Sequence, residues 1–308
     1  MPALPALSAS PAWPAWIDAH GISLLNGLAI GSLLFILAVG LSLIFGMMDV
    51  LNLAHGVLFL TGAYAAWWIA GQTPTWPWFL GALGVAAVVG VLAGGLLSLA
   101  TARLARRTHL DQALLTLGLA LIAADGLSAA FGDDVHTINP PPGLDGSVLL
   151  LGKAYPIYRL ALIGLGALVA IAVHIVVERT RLGALVRATV ADRHMVQAVG
   201  VDDRRVKLVV FAIGAVLATT AGVLGAPVYG ARPGLDASVL ILSLVVVVIG
   251  GLGSVRGALI GALVIGEIES LGRDLLSDLA SFVLFGALAV VLVVRPRGLF
   301  GAPTGARA

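Results

Sequence analysis

The chain reads as an all-α membrane protein: one polytopic helical bundle of about eight or nine transmembrane segments spread over residues 1–308. Three observations predict this. Hydrophobic residues make up 59% of the chain and charged residues 11%, where a soluble domain carries about 45–50% and about 25%. Mean hydropathy is +1.05, so too little polar material exists to cover a surface facing water. The charges also come in clusters with long gaps between them. None lies between Asp18 and Asp49, Asp49 and Arg103, Arg159 and Glu178, Lys207 and Arg232, Asp236 and Arg256, or Asp278 and Arg295. A charge in hydrocarbon costs several kcal/mol, and gaps of this length suit spanning helices. The gaps lack the period-two alternation of a membrane β-barrel.

The same numbers narrow the function classes. A formal charge of +2 behind a pI of about 9.3 gives no indication of a nucleic-acid partner. With no cysteine, disulfides, thiolate nucleophiles and cysteine metal sites are excluded. The stretch from Met1 to Ala19 has no basic side chain and does not read as a signal peptide.

The first span is expected over about Leu24 to Phe45 and the second from near Leu53 to before Gln72, with a short, mostly apolar link at 46–52. Pro74, Trp76, Pro77 and Trp78 mark a membrane interface ahead of a third span that ends near Thr101. A fourth covers about Leu114 to Phe131. The segment from Asp133 to Tyr155 is the longest external loop, and Ile157 to Val177 forms the fifth span. Residues 178–207 differ from everything before them. They carry Glu178, Arg179, Arg181, Arg187, Asp192, Arg193, Asp202 and Asp203, with Leu182, Leu185, Val186 and Thr189 at helical spacing. One or two amphipathic helices outside the hydrocarbon are expected there. A further span runs from Leu208 to Ala226. The apolar stretch from Ala237 to Gly266 is split by the glycine-rich link at 250–257 into two short or partly re-entrant spans. Acidic residues at 267–279 predict a loop before the last span, Ser281 to Val294.

Basic clusters at 103–107, at 178–207 and at Arg295 with Arg297 belong inside by the positive-inside rule, which places the C-terminus inside. Nine crossings put the N-terminus outside. Eight put it inside, with residues 53–71 only re-entering.

Small residues recur as Gly27-x-x-x-Gly31, Gly90-x-x-x-Gly94 and Gly257-x-x-x-Gly261, the spacing that lets helices approach closely in lipid. Polar residues gather at the first link: Ser42, Asp49, Asn52 and His55. Either Asn52 caps a helix start, or a broken helix lines a substrate path with polar groups. Asp125 is the one acid inside the fourth span; it faces protein or water, with proton coupling as the sharper alternative. The chain has no Walker-type loop, no His-Glu-x-x-His and no Gly-x-Ser-x-Gly.

These residues also carry a resemblance. Asn26-Gly27-Leu28, Gly40-Leu41-Ser42-Leu43-Ile44-Phe45-Gly46 and Asn52-Leu53-Ala54-His55-Gly56 resemble the opening of the branched-chain amino acid ABC transporter permeases, in their LivH-type subunit. The stretch from Glu178 to Thr189, the run Ile249 to Ala258 and the closing Arg295 to Gly301 extend the likeness over most of the chain. The resemblance implies a multi-pass subunit of the bacterial inner membrane. It implies a LivM-like second permease, two cytoplasmic ATPase subunits holding ATP and Mg, and an external binding protein as partners. Arg179, Arg181, Arg187, Asp192 and Arg193 are then the expected coupling contact with the ATPase, in place of simple contact with anionic lipid. Ser42, Asn52, His55 and Asp125 are the candidates for the translocation path. The expected cargo is a branched-chain or related amino acid, with urea or a short-chain amide as the alternative. An ion-coupled transporter working alone is the rival class.

Overall fold

The computed structural model describes residues 13–48, 52–71, 75–104, 108–276, 279–296 and 298–300. Asp49, Arg106, Arg107, Asp278 and Arg297 lie outside them. In chain order the helices are α1 (Trp13–Met48), α2 (His55–Ala70), α3 (Trp76–Arg103), α4 (His109–Phe131) and α5 (Ile157–Arg179). They continue as α6 (Arg181–Ala191), α7 (Arg193–Ala198), α8 (Asp203–Tyr229), α9 (Leu235–Gly250), α10 (Val255–Leu275) and α11 (Ala280–Val294). Among the described residues, α1, α3, α4, α5, α8, α9, α10 and α11 run between the two ends of one bundle, and α2 starts within it.

Contacts at those ends fix the topology. At one end, Lys153 donates to the Ala19 carbonyl at 3.1 Å, Ser23 donates to Asp274 at 2.7 Å, and His136 and Ala231 exchange backbone bonds at 2.8 Å. The start of α1, the loop after α4, the end of α8 and the end of α10 therefore share this side, together with Asp133, Asp134 and Asp145. At the other end Gly46 abuts Gly253, Arg256 lies 3.9 Å from Glu178, and Leu299 donates to the Ile249 carbonyl at 2.8 Å. The positive-inside rule assigns the second, basic end to the inner side. With the basic end inside, α1 starts on the outer side and α11 ends on the inner side, the order that the nine-crossing alternative expects. Five helices, in α1, α3, α4, α5 and α8, are long and apolar enough to cross a membrane.

α1 is the axis of the bundle: every residue from Gly31 to Ser42 is buried. A helix apolar all round has nowhere else to go. α10 reaches it closely, since a Cβ on Gly31 would lie 2.8 Å from the Ala262 carbonyl oxygen. Gly90 and Gly94 of α3 meet α8 in the same way, at Val216 and Phe211. These small residues are therefore the packing surfaces that their spacing suggests. Outward faces of α3, α4, α5 and α11 stay apolar, with Leu92, Ile122, Ile171 and Val293 exposed, as lipid or a neighbouring subunit requires. α2 has 16 residues, about 24 Å against a hydrocarbon layer of about 30 Å. It starts inside the protein.

Two sequence expectations need correction. The acids at 267 and 269 are not in a loop, because α10 continues to Leu275. Ser270 anchors that last stretch by donating to the Ser23 carbonyl at 2.6 Å, and Glu269 pairs with Arg273 one turn on. The external loop also contains strands, β1 (Ser147–Leu150) and β2 (Lys153–Pro156), paired antiparallel. Leu151 and Gly152 turn between them with φ of 51° and 72°. Positive φ at both central residues is the geometry of a tight two-residue hairpin, and a Leu in place of the usual Asn or Asp hides that turn from a reading of the residues alone. The δ carbon of that Leu packs on Gly21 of α1.

Candidate translocation and coupling sites

α1 and α2 join in the interior of the protein. Asn52 is 1% exposed, and its Oδ1 accepts from the Ala54 amide at 3.2 Å, while its carbonyl accepts from the His55 amide at 3.2 Å. Leu53 donates its amide to Thr116 Oγ of α4 at 3.1 Å. The side chain of Asn52 thus shapes the turn into α2, and its Nδ2 is buried without a partner. His55, fully buried, is held by Nε2 to the Leu37 carbonyl at 2.9 Å, with Nδ1 unpartnered. Buried polar atoms left over in this way are uncommon in folded proteins and call for an explanation.

Ser42 stands elsewhere. Its hydroxyl faces the Ser254 carbonyl at 3.5 Å, in the link between α9 and α10, whereas His55 lies against the Gly40 and Gly214 face. Asp125 joins neither. It sits on the exposed side of α4, nine residues or about 13.5 Å beyond Thr116 along the helix. The structure therefore brings Asn52 and His55 together and leaves Ser42 and Asp125 apart from them.

At the basic end, α5 turns sharply into α6. Thr180 caps α6 by accepting from the Gly183 amide at 3.2 Å. A Cβ on Gly183 would lie 2.0 Å from the Val177 carbonyl oxygen, so this turn has room only for glycine. Leu182, Leu185, Val186 and Thr189 face inward, with Arg181, Ala184, Arg187 and Ala188 exposed. Arg179 and Arg181 are exposed beside the turn. Asp192 caps α7, accepting from the Met195 amide at 2.9 Å. Arg193 opens α7, and its side chain lies outside the described residues.

Arg187 folds back on its own chain. It donates to the Val177 carbonyl and lies 3.8 Å from Glu178, which also lies 3.9 Å from Arg256 of α10. These groups line a cavity of about 450 Å³ with His174, Val177 and Phe300. Arg187 of α6, Glu178 at the end of α5 and Arg256 of α10 thus join the charged helix to the membrane bundle, and the pair of Glu178 with Arg256 is one that the sequence reading did not single out. The distance of 78 residues between them hid it.

A second polar group was also missed, at the acidic end. Arg159 of α5 donates to Asn26 of α1, and Arg273 donates to Glu269 within α10. Arg159, Glu269 and Arg273 all lie within electrostatic reach of the Tyr229 hydroxyl at the end of α8. The i,i+4 spacing of Glu269 and Arg273 was the available signal, but it was read as loop composition.

Apolar spans around a glycine-packed axis, interrupted helices with buried polar groups, and a charged helix pair held at one end define a multi-pass membrane permease. The family model described as "branched-chain amino acid transport system / permease component" matches residues 23–293, and the chain belongs to that family. It is 27% identical over 292 residues to the permease BraD of Pseudomonas aeruginosa, covering 91% of this chain and 95% of that one. It is 30% identical over 296 residues to LivH of Escherichia coli K12, covering 90% and 94%. The ribose import permease RbsC of Haemophilus influenzae is 28% identical over 284 residues, covering 88% and 83%.

Proposed function

We propose that this permease subunit is the LivH-type half of a bacterial inner-membrane importer for branched-chain amino acids, driven by ATP bound elsewhere. The observation that carries this reading is the α6–α7 pair: two short charged helices outside the apolar spans, tied to the bundle through Glu178. An exposed helix at the inner face is where a separate ATPase subunit can apply work to a chain that has no nucleotide loop. The partners are a LivM-like second permease, two cytoplasmic ATPase subunits holding ATP and Mg, and a binding protein on the acidic side. The apolar outer faces meet lipid and the second permease, and no nucleic acid is involved.

In this mechanism ATP binding draws the ATPase subunits together and moves α6 and α7. Glu178 passes the displacement to Arg256 and the N-terminal end of α10. α10 packs glycine-to-backbone on α1, so the two shift as one body and change access at the far end. ATP acts by stabilising one of the two states more than the other. Arg179, Arg181 and Arg193 belong to the docking face, whereas Arg187 and Asp192 brace α6 and α7 from within. Asn52 and His55 mark the path through the middle.

The cargo has a competitor. The ribose permease shares 28% identity with this chain over 83% of its own length, against 27% over 95% for BraD, so a scaffold of this kind also serves a sugar importer. The test is reconstitution of the copurified complex in liposomes, with uptake and ATP hydrolysis measured for leucine, isoleucine, valine, urea, a short-chain amide and ribose. Leucine-stimulated ATP hydrolysis with uptake is expected. Uptake of ribose or urea alone would reassign the cargo. Active transport by a complex free of ATPase subunits would overturn the reading.

A further inference from the structure

The polar group at the acidic end has the composition of a binding site. Four helices build it: Asn26 comes from α1, Arg159 from α5, Tyr229 from α8, and Glu269 and Arg273 from α10. Glu269 is 8% exposed, and only its Oε1 is paired, to Arg273; Oε2 is buried with no partner. The Tyr229 hydroxyl is buried and unpartnered as well, and so is Oε2 of Glu267, which faces Gly27. A buried acceptor left unmade costs about 1–3 kcal/mol, more when charged. The free Glu269 oxygen and the Tyr229 hydroxyl, two such atoms near one another in a membrane bundle, are expensive, and ionisable groups kept within spans mark functional sites. Two guanidinium groups and a carboxyl group with one free oxygen keep both signs available. That is the complement of a zwitterion.

We propose that Arg159, Glu269 and Tyr229 form an entry site for the zwitterionic head of an α-amino acid. The Arg159 guanidinium donates to the carboxylate, and the ammonium donates to the free Glu269 oxygen and the Tyr229 hydroxyl oxygen. Arg273 holds Glu269 in place, and Asn26 orients Arg159. The site recognises the head shared by all α-amino acids, so it leaves side-chain selection to other parts of the transporter. Its position at the acidic end, where α5 begins and α8 ends, is where cargo arriving from outside would first meet the bundle. This proposal rests on the amino-acid cargo reading.

The test uses the complete reconstituted transporter. Tyr229→Phe removes only a hydroxyl that has no partner in the folded protein, so a purely structural role predicts unchanged uptake and an unchanged or higher melting temperature. The proposal predicts a loss of leucine uptake of about tenfold or more, the factor for one hydrogen bond to a charged group. Glu269→Gln is expected to lose at least as much. Thermal protection of the complex without its binding protein gives a second readout. Leucine should raise the melting temperature, isocaproate (no amine) and isopentylamine (no carboxylate) should not, and Glu269→Gln should abolish the leucine effect. Wild-type leucine uptake with full activity in Tyr229→Phe, or equal leucine protection in Glu269→Gln, would overturn the site and leave the cargo reading standing. Absence of leucine uptake by the wild-type transporter would overturn the cargo reading and the site with it.

Discussion

At Gly31 an added methyl group would sit 2.8 Å from the Ala262 carbonyl oxygen, whereas at Gly84 it would meet nothing within 4 Å. Gly31→Leu is therefore expected to destabilise the bundle by about 1–3 kcal/mol or more through forced separation of α1 and α10. Gly84→Leu is expected to be near neutral, and thermal unfolding of the purified complex in detergent compares the two. The same reasoning by position applies to Asp125. On the exposed side of α4, away from Asn52 and His55, it has no neighbour in the interior path. Asp125→Asn should leave ATP-dependent uptake within about twofold of wild type, since surface substitutions have small effects. A collapse of transport in that variant, with the protein still folded, would revive an ion-coupled mechanism.

The charged helices show at the scale of an element how weak contacts can matter. Glu178 is exposed enough that its pairs with Arg187 and Arg256 contribute only about 0–1 kcal/mol to stability. Their role in the proposed mechanism is geometric. Glu178→Gln should leave the melting temperature almost unchanged while raising the ATP hydrolysed per leucine imported by about threefold or more. An unchanged ratio would remove Glu178 from the transmission route. The α6–α7 pair was legible in the sequence because charge and helical periodicity coincide there. α10 was not, because Glu267 and Glu269 break the rule that charge avoids hydrocarbon. Such a break is affordable only where Arg273 and the Ser270 anchor sit on the same helix, and the anchor's partner, Ser23, lies 247 residues away. Of the two readings open at Asn52, the cap does not form: Ala54 is the N-cap of α2 with no side-chain bond, and the Asn52 side chain bonds the Ala54 amide instead.

Over the whole molecule, one energetic rule sorts the chain: charge stays out of lipid, and positive charge gathers on the inner side. That rule acts over long stretches and leaves a strong trace in the sequence, so spans could be read from gaps between charged residues, while eight or nine crossings and the side of the N-terminus stayed open. Which helix meets which could not. Gly90 and Gly94 announced a close approach, but only folding shows that α8 is the partner. Two of the polar contacts used above, Glu178 with Arg256 and Arg159 with Asn26, join residues far apart in the chain. The sorting rule itself can be tested directly, because the protein has no cysteine to give background. Single cysteines at Asp134, in the acidic loop, and at Ala188, on the exposed face of α6, can be exposed to a membrane-impermeant maleimide in intact spheroplasts. The fold described above predicts labelling of the Asp134→Cys protein at once and of the Ala188→Cys protein only after permeabilisation. Labelling of the Ala188→Cys protein from outside would contradict the orientation and the coupling route built on it.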